Sequence, residues 1–116
     1  MMKTTISESF KLVGVPVNSR GYRYIKDAVR ILKERREDFL SFTKELYPSI
    51  AKIYGTSPYG VERAIRYAIC KFWENCRERV EEDNILLQGF ESGKRPSNAQ
   101  FITYLFELVR SEEERD

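Results

Sequence analysis

Apolar residues recur every three or four positions along most of the chain, which is the spacing that gathers side chains on one side of an α-helix. The clearest stripe begins shortly after Ser57. Its members are Val61, Ala64, Ile65, Ala68, Ile69, Phe72 and Cys76. Serine commonly caps a helix N-terminus, and Pro58 suits the first helical position. The pattern therefore predicts a helix that begins at Pro58 and buries this stripe.

Similar spacing predicts helices on both sides of this one. The expected segments are 4–13, 20–37, 38–46, 48–54, one short helix within 81–90, and a last helix after Ser97 or Asn98. Pro48 requires a bend or a restart because proline does not continue a helix, whereas Gly55 suits a left-handed stop. No segment alternates as a strand does. We expect an all-α fold, a compact single domain over 1–116 with about six helices and a frayed acidic tail at 111–116.

The helix that begins at Pro58 also carries cations on the side away from its stripe. At about 100° per residue, Arg66 lies about 140° and Arg63 about 200° from Val61. Tyr59 falls near these arginines, and Glu62 lies at the edge of the same face. The arginines are therefore expected to point away from the core.

The two helices on either side of Gly55 match a further pattern. A small residue, Ala51, lets the first helix approach the second closely, and glycine permits a tight turn between them. Two such helices, the second with exposed cations, predict a helix-turn-helix at 47–74. A plain helical hairpin gives the same pattern, so the spacing alone leaves both structures open.

Composition narrows the classes of function. Apolar residues make up 41% of the 116 residues and aromatic residues 13%, which allows one packed core. The chain has no histidine, so the commonest general base and every Ser–His or Cys–His dyad are missing. The six glycines are scattered and form no phosphate-binding loop. We therefore expect a protein that is not an enzyme and that uses no cofactor and no metal.

The cysteines and the N-terminus bear on location. Cys70 and Cys76 lie on one predicted helix, about 240° apart around its axis, so they cannot form a disulfide with each other. The chain has no apolar run of about 18 residues, and its start, MMKTTISESF, lacks the apolar centre of a signal peptide. We expect a cytoplasmic protein without membrane contact.

Charge is divided unevenly along the chain. Residues 1–80 hold 16 Lys and Arg against 9 Asp and Glu, a net +7, whereas residues 81–116 hold 4 against 9, a net −5. The overall charge of +2 hides this difference. A basic body with an acidic tail is typical of a nucleic-acid binder, although chance clustering also produces such a division.

Four stretches carry a resemblance to a known family: GVPVNSRGYRYIKDAV, LYPSIAKIYG, VERAIRYAI and KRPSNAQFI, in this order. Together they closely resemble the C-terminal DNA-binding effector domain of the stage-zero sporulation master regulator, a response regulator of endospore-forming bacteria. The resemblance covers roughly residues 8–110. It implies an all-helical domain whose helix-turn-helix regulates transcription by reading a short, GC-centred, AT-flanked site in double-stranded DNA. It also implies tandem sites, hence a head-to-tail homodimer on DNA, and a contact with the RNA polymerase sigma subunit.

The resemblance assigns roles by position, with helix 58–74 in the major groove. The residues expected to contact bases are Glu62, Arg63, Arg66, Tyr67 and Tyr59. The residues expected to contact phosphates are Ser57, Lys94, Arg95, Ser97 and Asn98. Arginine offers two donors to guanine and glutamate accepts from cytosine, while cations beside a helix N-terminus suit a phosphate.

The chain departs from the family at several places. Tyr67 stands where the family has a histidine. Gly60 stands where the family often has an arginine, so one expected contact with DNA is missing. The acidic segment 79–93, where the family contacts the sigma subunit, matches poorly, so repression is as consistent with the sequence as activation. No receiver domain is present. The opening MMKTT favours a stand-alone protein over an excised fragment.

Other interpretations of the same residues stay open at this point. Arg63 and Arg66 are also consistent with a solvated surface, and Glu62 with an i,i+4 ion pair to Arg66 that reads no base. Lys94 and Arg95 are also consistent with ordinary loop charges. The alternative function is a non-catalytic helical protein-interaction module that kept the fold but lost sequence-specific DNA binding.

Overall fold

The computed structural model describes residues 15–16, 18–35, 41–79 and 94–114, with the backbone alone for 76–79 and 112–114. These residues form four α-helices and one π-helical turn. They are α1 (Arg20–Glu34), the π-helical turn (Phe42–Leu46), α2 (Tyr47–Tyr54), α3 (Pro58–Arg79) and α4 (Asn98–Glu114). The helices predicted at 4–13 and within 81–90 lie outside the described residues. The all-α class is confirmed, and the described ranges contain four α-helices where about six were predicted for the whole chain.

Helix α1 begins and ends through local hydrogen bonds. Ser19 Oγ accepts from the Tyr22 amide at 3.3 Å and caps the N-terminus. At the other end, the Arg35 amide donates to the Ile31 carbonyl at 3.1 Å, and the helix stops at Glu34. The predicted end at residue 37 was therefore three residues too late.

The restart predicted at Pro48 lies one residue earlier, because the π-helical turn ends at Leu46 and α2 begins at Tyr47. The π-helical turn begins with Ser41, whose Oγ accepts from the Lys44 amide at 3.2 Å, and it runs directly into α2. Pro48 lies in the first turn of α2, where a missing amide hydrogen leaves no intrahelical bond unmade. The helix predicted at 38–46 is thus a π-helical turn over Phe42–Leu46, which lowers the count of α-helices by one.

The buried side chains form one apolar core shared by all four helices. Helices α1 and α3 cross most closely at Gly21. A Cβ there would lie 2.4 Å from the Ala64 carbonyl oxygen and 2.7 Å from the Ala68 Cβ, so only glycine permits this approach. Helix α4 closes the core through Phe101, whose ring packs edge-on against Phe72 with centroids 5.5 Å apart.

The turn between α2 and α3 is short and geometrically defined. Gly55 has φ 66° and ψ 37°, the left-handed conformation predicted for this position. The Thr56 amide donates to the Ala51 carbonyl at 3.0 Å and closes the end of α2. Three residues therefore separate α2 from α3, whose N-terminus lies at the surface. None of the helices in the described ranges is long and apolar enough to cross a membrane.

Candidate nucleic-acid interface

The surface predicted to bind nucleic acid begins at the N-terminus of α3. Ser57 Oγ accepts from the Gly60 amide at 3.0 Å, and the Ser57 carbonyl accepts from the Val61 amide at 3.0 Å. Ser57 is therefore the N-cap, as predicted. A Cβ at Gly60 would lie 3.0 Å from Thr56 Oγ1 and 3.2 Å from Ser57 Oγ. A side chain in place of Gly60 would therefore require these two hydroxyl groups to shift by a few tenths of an ångström.

The two sides of α3 differ as the periodicity predicted. Buried on the inner side are Val61, Ile65, Ala68, Ile69, Phe72 and, beyond the predicted stripe, Trp73. Ala64 is half-buried against the core, and the side chain of Cys76 lies outside the described residues. The opposite side is open, with Tyr59 66% and Tyr67 65% exposed. The helix also runs to Arg79, five residues beyond the predicted end at 74.

The exposed side of α3 carries a row of alternating aromatic and cationic residues at four-residue spacing: Tyr59, Arg63, Tyr67 and Lys71. We call it the aromatic–cation row. The Arg63 Cζ lies 5.5 Å from the Tyr59 ring centroid, and the Lys71 Nζ lies 5.6 Å from that of Tyr67. Such contacts are worth about 0.5–1 kcal/mol at exposed sites. Helical periodicity predicts Tyr59 beside the arginines, whereas Lys71 is not among the predicted contact residues.

Beside this row, Glu62 and Arg66 form an ion pair. Arg66 Nη1 lies 2.6 Å from Glu62 Oε2, and the two side chains are 48% and 28% exposed, respectively. This is the i,i+4 pairing that the sequence had left open as an alternative to base contact. An exposed pair of this kind contributes only about 0.3–0.5 kcal/mol. The pair therefore orients both side chains without locking them.

The second predicted contact segment is the start of α4. Ser97 Oγ accepts from the Gln100 amide at 3.1 Å, and Gln100 Oε1 accepts from the Ser97 amide at 2.9 Å. This reciprocal arrangement is a capping box, so Ser97 and not Asn98 is the N-cap. Lys94 and Arg95 precede it with exposed side chains, and Pro96 is buried. The cations thus lie next to a helix N-terminus, as predicted.

Asn98 has a role that the sequence did not indicate. Its Nδ2 donates to the Glu62 carbonyl oxygen at 3.1 Å and to Tyr47 Oη at 3.3 Å. Burial raises the pKa of Tyr47, and the hydrogen bond that Asn98 donates opposes that shift. One side chain therefore joins the start of α4 to both α2 and α3. Its partners are 51 and 36 residues away, and no local sequence pattern reports such a contact.

Two surface grooves flank the exposed side of α3. The larger, of about 830 Å³, lies against the start of α1; it contains the whole aromatic–cation row together with Ser19 and Arg20. The smaller, of about 470 Å³, contains Glu62, Arg66, Arg95, Ser97 and Asn98. The structure thus divides most of the predicted contact residues between two neighbouring grooves. Ser57 lies at the exposed N-terminus of α3 and Lys94 in the exposed loop before α4. Contact of these residues with DNA stays a prediction.

In the described ranges, no cluster of three or more acidic or cysteine side chains could hold a metal ion. A comparison with known families gives a match to the one described as "Sporulation initiation factor Spo0A C terminal", over residues 6–109 of the 116. The match includes α1, α2, α3, most of α4 and every predicted contact residue. The family is the DNA-binding domain of a regulator of sporulation transcription. The chain therefore belongs to the C-terminal family of the sporulation initiation factor Spo0A.

Proposed function

We propose that this chain is a sequence-specific double-stranded DNA-binding regulator of transcription, without catalysis and without a cofactor. Helix α2, the Gly55 turn and α3 act as a helix-turn-helix, and the 58–74 part of α3 enters the major groove. The observation that supports this most is the division of α3 into a buried apolar side and an open side with exposed arginines. An α-helix fits the major groove of B-DNA by width and depth.

The exposed side chains of α3 have the chemistry for reading bases. Arg63 and Arg66 each offer a pair of donors that matches O6 and N7 of guanine, and Glu62 offers an acceptor for N4 of cytosine. The aromatic rings of Tyr59 and Tyr67 suit apolar contact with thymine methyl groups, and their hydroxyls can donate to base edges. These five residues are the proposed base contacts.

The contacts that these side chains make within α3 are weak beside what DNA offers. A bidentate contact between arginine and guanine contributes about 1–3 kcal/mol of discrimination. The Glu62–Arg66 pair and the Arg63–Tyr59 stacking contribute about 0.3–1 kcal/mol each. Exchanging the internal contacts for base contacts is therefore favourable, and it requires no change in the core because all four residues lie on the same exposed side.

The phosphate contacts are assigned to residues that flank the two helix N-termini. Lys94 and Arg95 supply charge, while Ser57 and Ser97 lie where helix amides and dipoles favour an anion. Contacts of this kind fix the orientation of a protein on DNA but carry no sequence information. The side chain of Asn98 differs from these residues because both hydrogens of its amide already have acceptors.

In vitro selection of duplexes from a random library, at near-physiological salt, tests this function directly. We expect a retained consensus with at least one guanine that Arg63→Ala no longer requires. Recovery of duplexes without any shared sequence would contradict sequence-specific binding. Salt has to be stated because the phosphate part of the affinity falls steeply as salt rises.

A protein-interaction module is the second candidate. The ion pair between Glu62 and Arg66 partly neutralises the face of α3, and Gly60 replaces an arginine of the family pattern. The same in vitro selection distinguishes the two functions, since a protein-interaction module would recover duplexes without a shared sequence. Contact with the RNA polymerase sigma subunit and head-to-tail pairing on tandem sites are further proposals. The segment that would contact the sigma subunit lies mostly outside the described residues.

A further inference from the structure

We propose that Asn98 is a positioning residue for DNA recognition and not a phosphate ligand. It holds the base-reading side of α3 at a fixed position relative to the loop that contains Lys94 and Arg95. This inference rests on the proposed function. It comes from the two hydrogen bonds that Asn98 Nδ2 donates, to the Glu62 carbonyl at 3.1 Å and to Tyr47 Oη at 3.3 Å.

The bond to Glu62 is located where it can orient a base-reading pair. Glu62 lies in the first turns of α3, and its side chain is the one that pairs with Arg66. Within an α-helix the Glu62 carbonyl already accepts from the Arg66 amide, and a carbonyl oxygen has a second lone pair. Asn98 uses that second position, so it fixes the rotation of α3 about its axis without disrupting the helix.

The bond to Tyr47 extends the link to α2. Tyr47 is 7% exposed and begins α2, so its hydroxyl is held by packing. The amide of Asn98 has two hydrogens, and one goes to each acceptor. No side-chain donor of Asn98 then remains for a phosphate oxygen. The side-chain carbonyl of Asn98 would repel phosphate rather than bind it.

The hydrogen bonds of Asn98 matter because they connect the proposed base contacts of α3 to the proposed phosphate contacts before α4. The smaller groove has the base-reading Glu62 and Arg66 on one wall and Arg95 with Ser97 on the other. A specific complex requires both walls to engage one duplex in one register, whereas non-specific binding needs only the phosphates. Loss of the link should therefore weaken specific binding and spare non-specific binding.

The test compares Asn98→Ala with Gln100→Ala, which breaks the capping box of the same helix but leaves the contacts of Asn98 intact. Binding to the selected duplex and to a random duplex is measured as a function of salt, with thermal unfolding of each variant. For Asn98→Ala we expect about a five- to tenfold loss on the selected duplex, as for one or two hydrogen bonds. The affinity for the random duplex and the salt slope should not change. Gln100→Ala should lower the melting temperature but keep the ratio of specific to random affinity.

Tyr47→Phe removes one acceptor and keeps the ring, so it should lower specific affinity by about two- to threefold. Combined with Asn98→Ala, it should cause no further loss. Should Asn98→Ala fail to fold, NMR of the wild-type Asn98 side-chain amide during DNA titration replaces it. Little change in its two signals supports positioning, and a large shift on both duplexes indicates direct phosphate contact.

Three results overturn the inference. An equal loss on both duplexes with a salt slope lower by about 0.9 would show that Asn98 contacts a phosphate. A ratio of specific to random affinity no lower than in Gln100→Ala would show that Asn98 merely stabilises α4. A wild-type protein that selects no sequence would refute the proposed function itself, which is a distinct outcome.

Discussion

Helices α1 and α3 both present a polar side rich in cations, and net charge alone would favour α1 over α3 for DNA binding. Helix α1 contains five Lys and Arg against two Asp and Glu, a net +3. Helix α3 contains five against three, a net +2. Both also place arginines at similar exposure, 47% for the Arg30 side chain and 48% for that of Arg66. The difference between the two helices lies in the partners of the charged groups.

The polar side of α1 takes part in packing. Tyr54, at the end of α2, donates its hydroxyl hydrogen to Asp27, its ring centroid lies 6.0 Å from the Arg23 Cζ, and it packs on the Tyr24 ring with centroids 5.1 Å apart. Arg30 in turn pairs with Asp27 at 3.4 Å. The contacts of Tyr54 connect α1 to α2, so moving them would disturb the fold, whereas Arg30 pairs only within α1, with Asp27 and Glu34.

The contacts described for the arginines of α3 stay within α3. Arg63 stacks on Tyr59, and Arg66 pairs with Glu62, all on the exposed side of one helix. These side chains can exchange partners without moving another helix. The polar side of α3 is therefore the better candidate for ligand binding, because the contacts of Tyr54 tie part of the polar side of α1 to α2.

The largest effect is expected on stability, at the point where α1 and α3 cross. Gly21→Ala places a Cβ 2.4 Å from a backbone carbonyl of α3, which cannot move aside as a flexible side chain would. We expect a loss of about 2–3 kcal/mol in the free energy of unfolding, measured by urea denaturation. Gly60→Ala is the matched control, since its Cβ would meet only hydroxyl groups. Equal stability of the two variants would show that the crossing is looser than the structure has it.

The next largest effect is on DNA affinity, and it distinguishes α3 from α1. Arg63→Ala and Arg66→Ala on α3 should each weaken binding to the selected duplex by about 1–3 kcal/mol. Arg30→Ala on α1, matched to Arg66 in exposure, should change it by less than about 0.5 kcal/mol. Fluorescence anisotropy at fixed salt measures all three. A loss in Arg30→Ala as large as in Arg66→Ala would assign DNA binding to α1 as well.

The contrast also explains how much the sequence could predict. Signals carried by neighbouring residues were reliable: the Ser57 cap, the left-handed Gly55 and the buried stripe of α3 all have the predicted positions. Pro48 marked the start of α2 to within one residue, but the π-helical geometry of the preceding turn was not predicted. Such a turn has no sequence pattern that periodicity detects.

Contacts between distant segments could not be predicted from the sequence. Nothing near Gly21 indicates that a carbonyl of α3 approaches it, and nothing near Asn98 indicates Tyr47 or Glu62 as its acceptors. For the candidate site, helical periodicity oriented the arginines, while the family resemblance supplied the loop residues Lys94 and Arg95. The division of the site into two grooves became visible only in three dimensions.

A smaller effect on DNA binding is expected from the loop before α4, and it can be compared with the effect of removing a cation from α1. Lys94→Ala should weaken binding to selected and random duplexes alike, by about fivefold at physiological salt, and lower the salt slope by about 0.9. Lys26→Ala on α1 removes the same charge from the polar side opposite the core and should leave the slope unchanged. A sequence-dependent loss in Lys94→Ala would mean that this lysine contacts a base and not the backbone.

The smallest effect tests whether the polar side of α1 stabilises the fold through Tyr54. The hydrogen bond to Asp27, and secondarily burial, raises the pKa of Tyr54 above its ordinary value. Because the pKa is raised in the folded state, the hydrogen bond stabilises the folded protein below about pH 10, the ordinary tyrosine pKa. That stabilisation is lost as the pH rises through the pKa of Tyr54 in the folded protein. A double-mutant cycle of Asp27→Asn and Tyr54→Phe, followed by urea unfolding, should give a coupling of at most about 0.5 kcal/mol at pH 7, because both groups are partly exposed. The coupling should vanish at strongly alkaline pH. If it persisted there unchanged, the two residues would be coupled by packing and not by the phenol proton.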